Sequence, residues 1–199
     1  MNKTSLSMMG ALSATVFGLT LLSGGPAPMR VAAAAPGDAP KVAVVKQDTG
    51  TLSAVDKAFI QEAAAGGLAE VELGKLAVEK GVSDSAKTFG QHMIEDHTKA
   101  NNELSQLASR KGVAVPMELK AEHVKLKTTL SKAAGPAFDK QYIHEMVKDH
   151  EKDVAAFEKE ASQGSDPELV AWVKATLPTL QGHLKMSRDA EAKVKGGSK

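Results

Sequence analysis

The sequence contains no cysteine, and aromatic residues are few: five Phe, one Tyr and one Trp among 199 positions. Without cysteine the chain forms no disulfide framework, carries no lipid-modified cysteine and has no thiol nucleophile. An excess of either charge is also absent, because 25 Lys and Arg balance 24 Asp and Glu. Such a balance, with no basic block, gives no electrostatic reason to bind nucleic acid or an anionic membrane. We therefore expect no nucleic-acid partner.

Catalytic sequence patterns are missing as well. The chain has no glycine-rich phosphate loop and no serine motif at a strand–turn–helix unit, so hydrolase and kinase chemistry have no support. The alternation of apolar and polar residues that indicates strands is almost absent after the first fifty residues. The sequence therefore predicts an all-α protein and favours a role other than that of an enzyme.

The first 34 residues have the composition of an export signal. Lys3 gives a positive start, residues 11–22 are apolar, and small residues at 31–35 offer a cleavage site. The apolar run is too short to span a bilayer comfortably, so we expect no transmembrane segment in the mature chain. Residues 1–34 are predicted to be a signal peptide. Residues 35–52, which mix Pro, Gly and polar residues, are predicted to be a flexible leader.

Helix start and stop signals organise the remaining domain, residues 53–195. Serine and proline starts, apolar stripes and glycine stops predict four long helices and one shorter helical piece. The predicted long helices are 53–81, 83–112, 136–164 and 166–196, and the shorter piece lies within 113–135. Very short connections join helix one to two and helix three to four, which makes each pair an antiparallel hairpin. The longer connection can cross the bundle, so we expect a ferritin-like four-helix bundle with a long crossover between helices 2 and 3.

One short motif occurs on both helices that flank this crossover. Residues 93–99 read MIEDHTK and residues 146–152 read MVKDHEK, so Met-x-x-Asp-His-x-Lys is repeated. At helical spacing, the Met, Asp and His of each copy share the apolar face of their helix. Burying Asp and His side chains costs free energy unless each finds a partner. Both pairs therefore require an explanation.

Heights along the bundle predict which polar residues meet. His97 lies 14 residues after the predicted cap of helix two, and His150 lies 14 after Pro136 at the start of helix three. In parallel helices both reach one level, with their side chains within about 10 Å of each other. Glu70 and His183 are predicted to lie in an adjacent layer, roughly 6 Å further along the axis, with the two motif methionines. The methionines are interpreted mainly as core residues.

Two interpretations of these polar residues stay open. In the first, Asp and His side chains hydrogen-bond one another across helices as a polar core layer. In the second, neutral imidazoles and a carboxylate bind a transition metal: iron, copper or zinc. Affinity would then fall as the pH drops through the histidine range near 6.5. Asp96 and Asp149 would orient the rings by accepting hydrogen bonds. The candidate metal ligands are His97, His150, His183 and Glu70.

Four stretches of the chain resemble a known bacterial family: FIQEAAAGGLAEVELGKLAVEKG, MIEDHTK, FDKQYIHEMVKDHEK and LPTLQGHL. That family is an exported domain of unknown function in the ferritin-like superfamily, and some members are labelled predicted outer-membrane proteins. The resemblance covers about residues 53–194 and implies the bundle and export, with no established activity. True di-iron bundles carry Glu-x-x-His on two helices, and no Glu here has a His three residues later. A ferroxidase centre is therefore not carried over.

Three classes of function follow. The favoured one is an exported ferritin-like bundle of unestablished role: a non-catalytic envelope or stress-related protein whose partner is an envelope protein or a second copy of itself. The alternative is a periplasmic metal-binding protein that uses the layer of His and carboxylate groups. An iron-dependent redox enzyme is the third. The expected location is the periplasm, with an outer-membrane association implied only by the resemblance.

Overall fold

A computed structural model describes residues 52–196, which form five α-helices and no strand. The helices are α1 (Ala54–Lys80), α2 (Asp84–Arg110), α3 (Ala121–Ser131), α4 (Gly135–Gln163) and α5 (Pro167–Gly196). The predicted all-α class is confirmed, and the four long helices begin and end close to their predicted bounds. The predicted signal peptide and all but the last residue of the predicted leader lie outside the described residues. No helix in the described region is apolar over a length that would cross a bilayer.

Side-chain caps explain where the first two helices begin. The Ser53 hydroxyl accepts a hydrogen bond from the Asp56 amide at 3.0 Å, and the Asp56 carboxylate accepts one from the Ser53 amide at 3.2 Å. This reciprocal pair is a capping box, which satisfies two amides that a helix start leaves without partners. Ser83 caps α2 by accepting from the Ala86 amide at 3.2 Å. Both predicted serine starts are confirmed.

Each hairpin turn is held by a buried carboxylate from the other hairpin. Asp139, near the start of α4, accepts hydrogen bonds from the amides of Val82 and Ser83 in the α1–α2 turn, at 3.1 and 2.7 Å. Asp56, near the start of α1, accepts from the amide and the hydroxyl of Ser165 in the α4–α5 turn. The start of α4 thus lies beside the end of α1, and the start of α1 lies beside the end of α4. These two helices therefore run in opposite directions.

Two hydrophobic clusters fill the bundle. The first contains the motif methionines together with Phe89, Phe138 and Tyr142; the second contains Ile60, Leu104, Phe157, Leu169 and Leu180. The interpretation of Met93 and Met146 as core residues is confirmed, since both are fully buried in the first cluster. Leu52 was assigned to the flexible leader, but it is only 6% exposed and packs in the second cluster. The folded domain therefore begins before residue 53.

Candidate metal centre

A buried polar layer separates the two hydrophobic clusters. Each long helix contributes one side chain to it: Glu70 from α1, His97 from α2, His150 from α4 and His183 from α5. None is more than 5% exposed. On every one of these helices the polar residue lies between a member of the first cluster and a member of the second. The structure thus brings together all four residues predicted as metal ligands, and we call this set the polar layer.

The three imidazole rings of the polar layer are mutual neighbours. Ring centroids of His97 lie 5.8 Å from His150 and 5.3 Å from His183, and those of His150 and His183 lie 5.4 Å apart. One ring nitrogen of each residue lies within 4.8 Å of the others. The predicted proximity of His97 and His150 is confirmed. The prediction of two separate layers is wrong, because side chains that lean along the helix axis close the backbone offset of about one turn.

Each ring has one nitrogen placed against an oxygen. The pairs are His97 Nδ1 with Glu70 Oε2 at 2.8 Å, His150 Nδ1 with the Met146 carbonyl at 2.9 Å, and His183 Nε2 with Asp96 Oδ2 at 2.9 Å. In a neutral imidazole only one nitrogen carries a proton, so an oxygen acceptor there leaves a lone pair on the other nitrogen. These second nitrogens are buried and have no hydrogen-bond partner within residues 52–196.

Glu70 adds a fourth unsatisfied atom to the polar layer. Its Oε1 is buried without a hydrogen-bond partner in the described part of the chain, and it lies 3.3 Å from His150 Nε2. Because His150 donates from Nδ1, the two facing atoms both present lone pairs, which repel unless a proton or a cation lies between them. Burial raises the pKa of Glu70 to about 7. The carboxyl group is thus poised between holding a proton and binding a cation at neutral pH.

Burial keeps the three rings neutral. It lowers the pKa of His97 to about 4, against the opposing charges of Asp96 and Asp149. It also lowers the pKa of His183 to about 4, although the hydrogen bond to Asp96 opposes the shift, and it lowers the pKa of His150. Neutral imidazoles are the form that binds metal ions. The lone pairs are therefore available at pH 7 without loss of a proton.

Of the two aspartates predicted to orient the rings, Asp96 accepts a hydrogen bond from the ring of His183 on another helix, not from the adjacent His97. Asp149 instead lies in a group with Glu70 and Asp153, in which one oxygen of each residue is within 4.8 Å of the others. Burial and the nearby charge of Glu70 raise the pKa of Asp153 well above its usual value. Asp153 lies four residues after Asp149 on the same helix face, but it is not among the site residues predicted from the sequence.

The other histidines lie outside the polar layer. His144 is exposed, and its Nδ1 lies 2.9 Å from a carboxylate oxygen of Glu191. His92 and His123 are half-buried. A small cavity of about 20 Å³ borders Glu70 and His97, which is room for one water-sized guest.

The chain is similar to one protein family and shares its fold with solved structures. The model of one family, described as domain of unknown function DUF4142, matches residues 42–190. No curated protein matches the chain. A solved DUF305 fragment from Deinococcus radiodurans shares the fold with a TM-score of 0.63 and 13% identity, over 71% of this chain and 98% of that one.

A second solved relative, CopM, was captured with copper. Its Cu(II)-bound form has a TM-score of 0.59 and 16% identity, over 69% of this chain and 96% of that one. Its Cu(I)-bound form has a TM-score of 0.57 and 16% identity, over 67% and 93%. Likeness at these identities establishes the fold alone. The family match and the shared fold support the resemblance to a helical domain of unknown function. Export stays a prediction.

Proposed function

We propose that this chain, which belongs to the DUF4142 family, binds a transition-metal ion in the polar layer of its helical bundle. The observation that carries the proposal is the set of three buried ring nitrogens that hold lone pairs and lack partners among the described residues. The opposite nitrogen of each ring faces a carboxylate or carbonyl oxygen. Metal-ligating histidines are usually oriented in this way by their second nitrogen.

The competing interpretation, a polar layer that only satisfies itself, fits the contacts less well. With Glu70 ionised it leaves four polar atoms buried without partners in the described region: one nitrogen on each ring and Glu70 Oε1. A proton on Glu70 Oε1 would satisfy that atom and His150 Nε2, 3.3 Å away, but would still leave His97 Nε2 and His183 Nδ1 without partners there. Each such atom costs about 1–3 kcal/mol. A single cation would accept all four lone pairs, with His97, His150 and His183 as nitrogen ligands and Glu70 as the oxygen ligand.

Copper is the first metal to test. Three imidazoles and one carboxylate suit copper(II), zinc(II) and iron(II), and divalent copper binds such donors most tightly in this series. CopM, which shares the fold, is described in copper-bound forms. The methionine side chains of the motif pack with Phe89 and Tyr142 in the first hydrophobic cluster. The donor set that we propose is therefore one of nitrogen and oxygen, which favours copper(II) over copper(I).

We also propose the ferritin-like arrangement of the four long helices. Lys111, just after α2, contacts Asp166 at 2.6 Å beside the α4–α5 turn. Asp139, at the start of α4, contacts the α1–α2 turn instead. These contacts support a connection over residues 111–134 that crosses the length of the bundle and makes α2 and α4 parallel. The signal peptide that the sequence predicts at residues 1–34 favours a periplasmic role in metal handling, and sequencing the N-terminus of the native protein would test this part of the proposal.

Metal binding is tested on the full mature chain by melting curves and calorimetric titration with copper(II) and zinc(II). At one hundred times the dissociation constant, ligand binding adds about 2.7 kcal/mol and raises the melting temperature by about 5–10 °C. His183→Gln should weaken binding by about tenfold or more, because it removes one ligand. His144→Gln is the matched control, since His144 is exposed outside the polar layer, and it should bind as the wild type does. Identical melting curves with and without each metal would reject metal binding. The remaining interpretation would be a polar layer whose side chains only hydrogen-bond one another.

A further inference from the structure

The small cavity beside Glu70 and His97 lies between the polar layer and the second hydrophobic cluster. Side chains from α1, α2, α4 and α5 line it, among them Phe157 and Leu180 of that cluster. Its volume of about 20 Å³ accommodates one water-sized guest, because a single water needs about 10–15 Å³. We call this space the layer cavity.

Trp172 of α5 brings an unused hydrogen-bond donor to the layer cavity. Its side chain lines the cavity, and its indole Nε1 is buried without a hydrogen-bond partner in the part of the chain that the structure describes. An indole N–H can only donate, so neither a metal ion nor another donor satisfies it. Buried donors in folded proteins nearly always have an acceptor. A guest in the layer cavity that accepts a hydrogen bond would supply one.

The other polar side chains on the cavity wall are already engaged or do not repel an acceptor. The Thr176 hydroxyl donates to the Trp172 carbonyl oxygen at 2.9 Å, so it has no proton left for a guest. Burial raises the pKa of Asp153 well above its usual value, which favours its neutral form. Asn101 is half-buried, and its side chain fills the space that a Cβ on Gly67 would need. The guest therefore depends on the Trp172 N–H for its hydrogen bond.

We propose that the layer cavity is an exchangeable coordination position of the transition-metal site, filled by water or a one-atom anion that accepts a hydrogen bond from Trp172 Nε1. This inference rests on the proposed function, in which Glu70 and His97 are metal ligands. Both residues line the layer cavity, so an ion bound to them lies at its wall. Copper(II) with nitrogen and oxygen ligands favours tetragonal geometry, which takes a further ligand beyond the four from the protein.

The size of the layer cavity decides which ligands enter this position. Room for one water-sized guest admits water, hydroxide or fluoride and excludes ligands of three atoms. An exchangeable position also distinguishes a reactive metal site from a closed one, in which protein side chains fill every coordination position. The chemical class of the guest is thus a one-atom acceptor that binds both the metal and an indole N–H.

Fluoride is the probe, because its nuclear spin splits the electron paramagnetic resonance signal of the copper(II) ion to which it binds. The full mature chain, loaded with copper(II), should show this splitting when fluoride is added. Azide at the same concentration should leave the signal unchanged, because its three atoms do not fit the layer cavity. A response to azide as large as the response to fluoride would mean that the exchangeable position faces open solvent, and it would overturn the proposal.

Trp172→Phe tests the hydrogen bond. It removes the N–H but keeps an aromatic ring beside Phe157, whose ring centroid lies 5.6 Å from that of Trp172. Fluoride affinity should fall by about tenfold, because a hydrogen bond to a charged acceptor is lost, while copper(II) affinity stays that of the wild type. Thr176→Val is the matched control: it removes a hydroxyl from the same wall, and fluoride affinity should not change. Unchanged fluoride affinity in Trp172→Phe, or equal weakening in both variants, would overturn the role of Trp172.

A cavity-filling variant tests the position without changing an aromatic residue. Ala100→Val adds two carbon atoms at the wall of the layer cavity, so it should lose the fluoride splitting while it still binds copper(II). A full response to fluoride in this variant would overturn the assignment to the layer cavity. Copper(II) binding by the wild type without any response to fluoride would reject the exchangeable position alone. Failure to bind copper(II) at all would reject the proposed function, and this inference with it.

Discussion

The Nε2 atom of His183 on α5 lies 2.9 Å from Oδ2 of Asp96 on α2, a contact between helices that are not consecutive in the chain. His183 is 2% exposed, whereas the Asp96 side chain is 41% exposed. The buried ring is thus fixed by a carboxylate at the surface of the bundle. Because the ring donates from Nε2, its Nδ1 keeps the lone pair that a metal would use.

Replacing Asp96 should weaken metal binding without removing a ligand. We expect Asp96→Asn to reduce affinity for copper(II) or zinc(II) by about 10–100-fold, because the ring loses the charged acceptor that fixes its orientation. Calorimetric titration measures this change. Glu95→Gln is the matched control, since it removes an exposed charge from the adjacent position and should bind as the wild type does. Equal affinities for both variants would show that Asp96 does not position the ring.

The pH dependence of zinc affinity should follow Glu70 and not the histidines. Burial raises the pKa of Glu70 to about 7, so below that pH a proton must leave before the carboxylate binds metal. Burial lowers the pKa of His97 and His183 to about 4, so neither ring competes for protons until the pH approaches that value. Unperturbed histidines, which the sequence alone suggested, would instead lose affinity together near pH 6.5.

Zinc titrations between pH 5 and pH 6.5 measure this dependence. The affinity of the wild type for zinc should fall by about tenfold for each unit by which the pH is lowered, because one proton competes with the metal. Glu70→Gln should bind more weakly throughout but with little slope, because it has no carboxyl group to titrate. A different result would be a slope of log affinity against pH that corresponds to two or three protons and that Glu70→Gln retains. The rings would then cause the pH dependence, and Glu70 would not be a ligand.

The sequence predicted the faces and heights of the helices well. Ser53 and Ser83 begin helices as predicted because a cap depends on neighbours within one turn. The meeting of His97 and His150 followed from two equal distances to helix starts, and their ring centroids lie 5.8 Å apart. Helical periodicity places a residue on a face and at a height to within about a turn.

Side-chain partners could not be predicted in the same way. Asp96 was expected to accept a hydrogen bond from a ring, and it does, but its partner His183 was not predicted, because the rotation of α2 and α5 decides which atoms meet. Asp149 was expected to orient a ring and instead lies beside the carboxylates of Glu70 and Asp153. Rotamers and helix rotation vary on a scale of a few ångströms, which sequence patterns do not resolve. The directions of the pKa shifts could not be predicted either, because they depend on the same contacts and on burial.

A buried pair of acids outside the candidate site should make stability depend on pH. Glu160 is 4% exposed, and burial together with a hydrogen bond to Asp56 raises its pKa to about 7. A carboxyl group whose pKa is higher in the folded chain stabilises the fold below its unfolded pKa near 4.5. This contribution is lost as the pH rises to about 7, at about 1.4 kcal/mol per pH unit.

Glu160→Gln should remove this dependence, because an amide donates to Asp56 without needing a proton. We expect the variant to be more stable than the wild type at pH 8, by up to about 3 kcal/mol, and nearly equal to it at pH 5. Urea unfolding of metal-free protein at both pH values measures the difference. Glu158→Gln, an exposed change on the same helix, should show no such gain at pH 8. A gain of equal size at both pH values would rule out the titration of Glu160 as its cause.

Two glycines of α1 should respond in opposite directions to the same substitution. A Cβ added at Gly66 meets no atom within 4 Å, whereas one added at Gly74 would lie 2.7 Å from the carbonyl oxygen of Gly90 on α2. Gly66→Ala should therefore stabilise the protein by about 0.5–1 kcal/mol, because alanine restricts the unfolded chain more and favours a helix. Gly74→Ala should destabilise it by about 1–3 kcal/mol, because a backbone carbonyl moves aside only if the two helices separate. Urea unfolding of both variants measures these changes, and similar stabilities would show that the close approach of α1 and α2 does not require glycine.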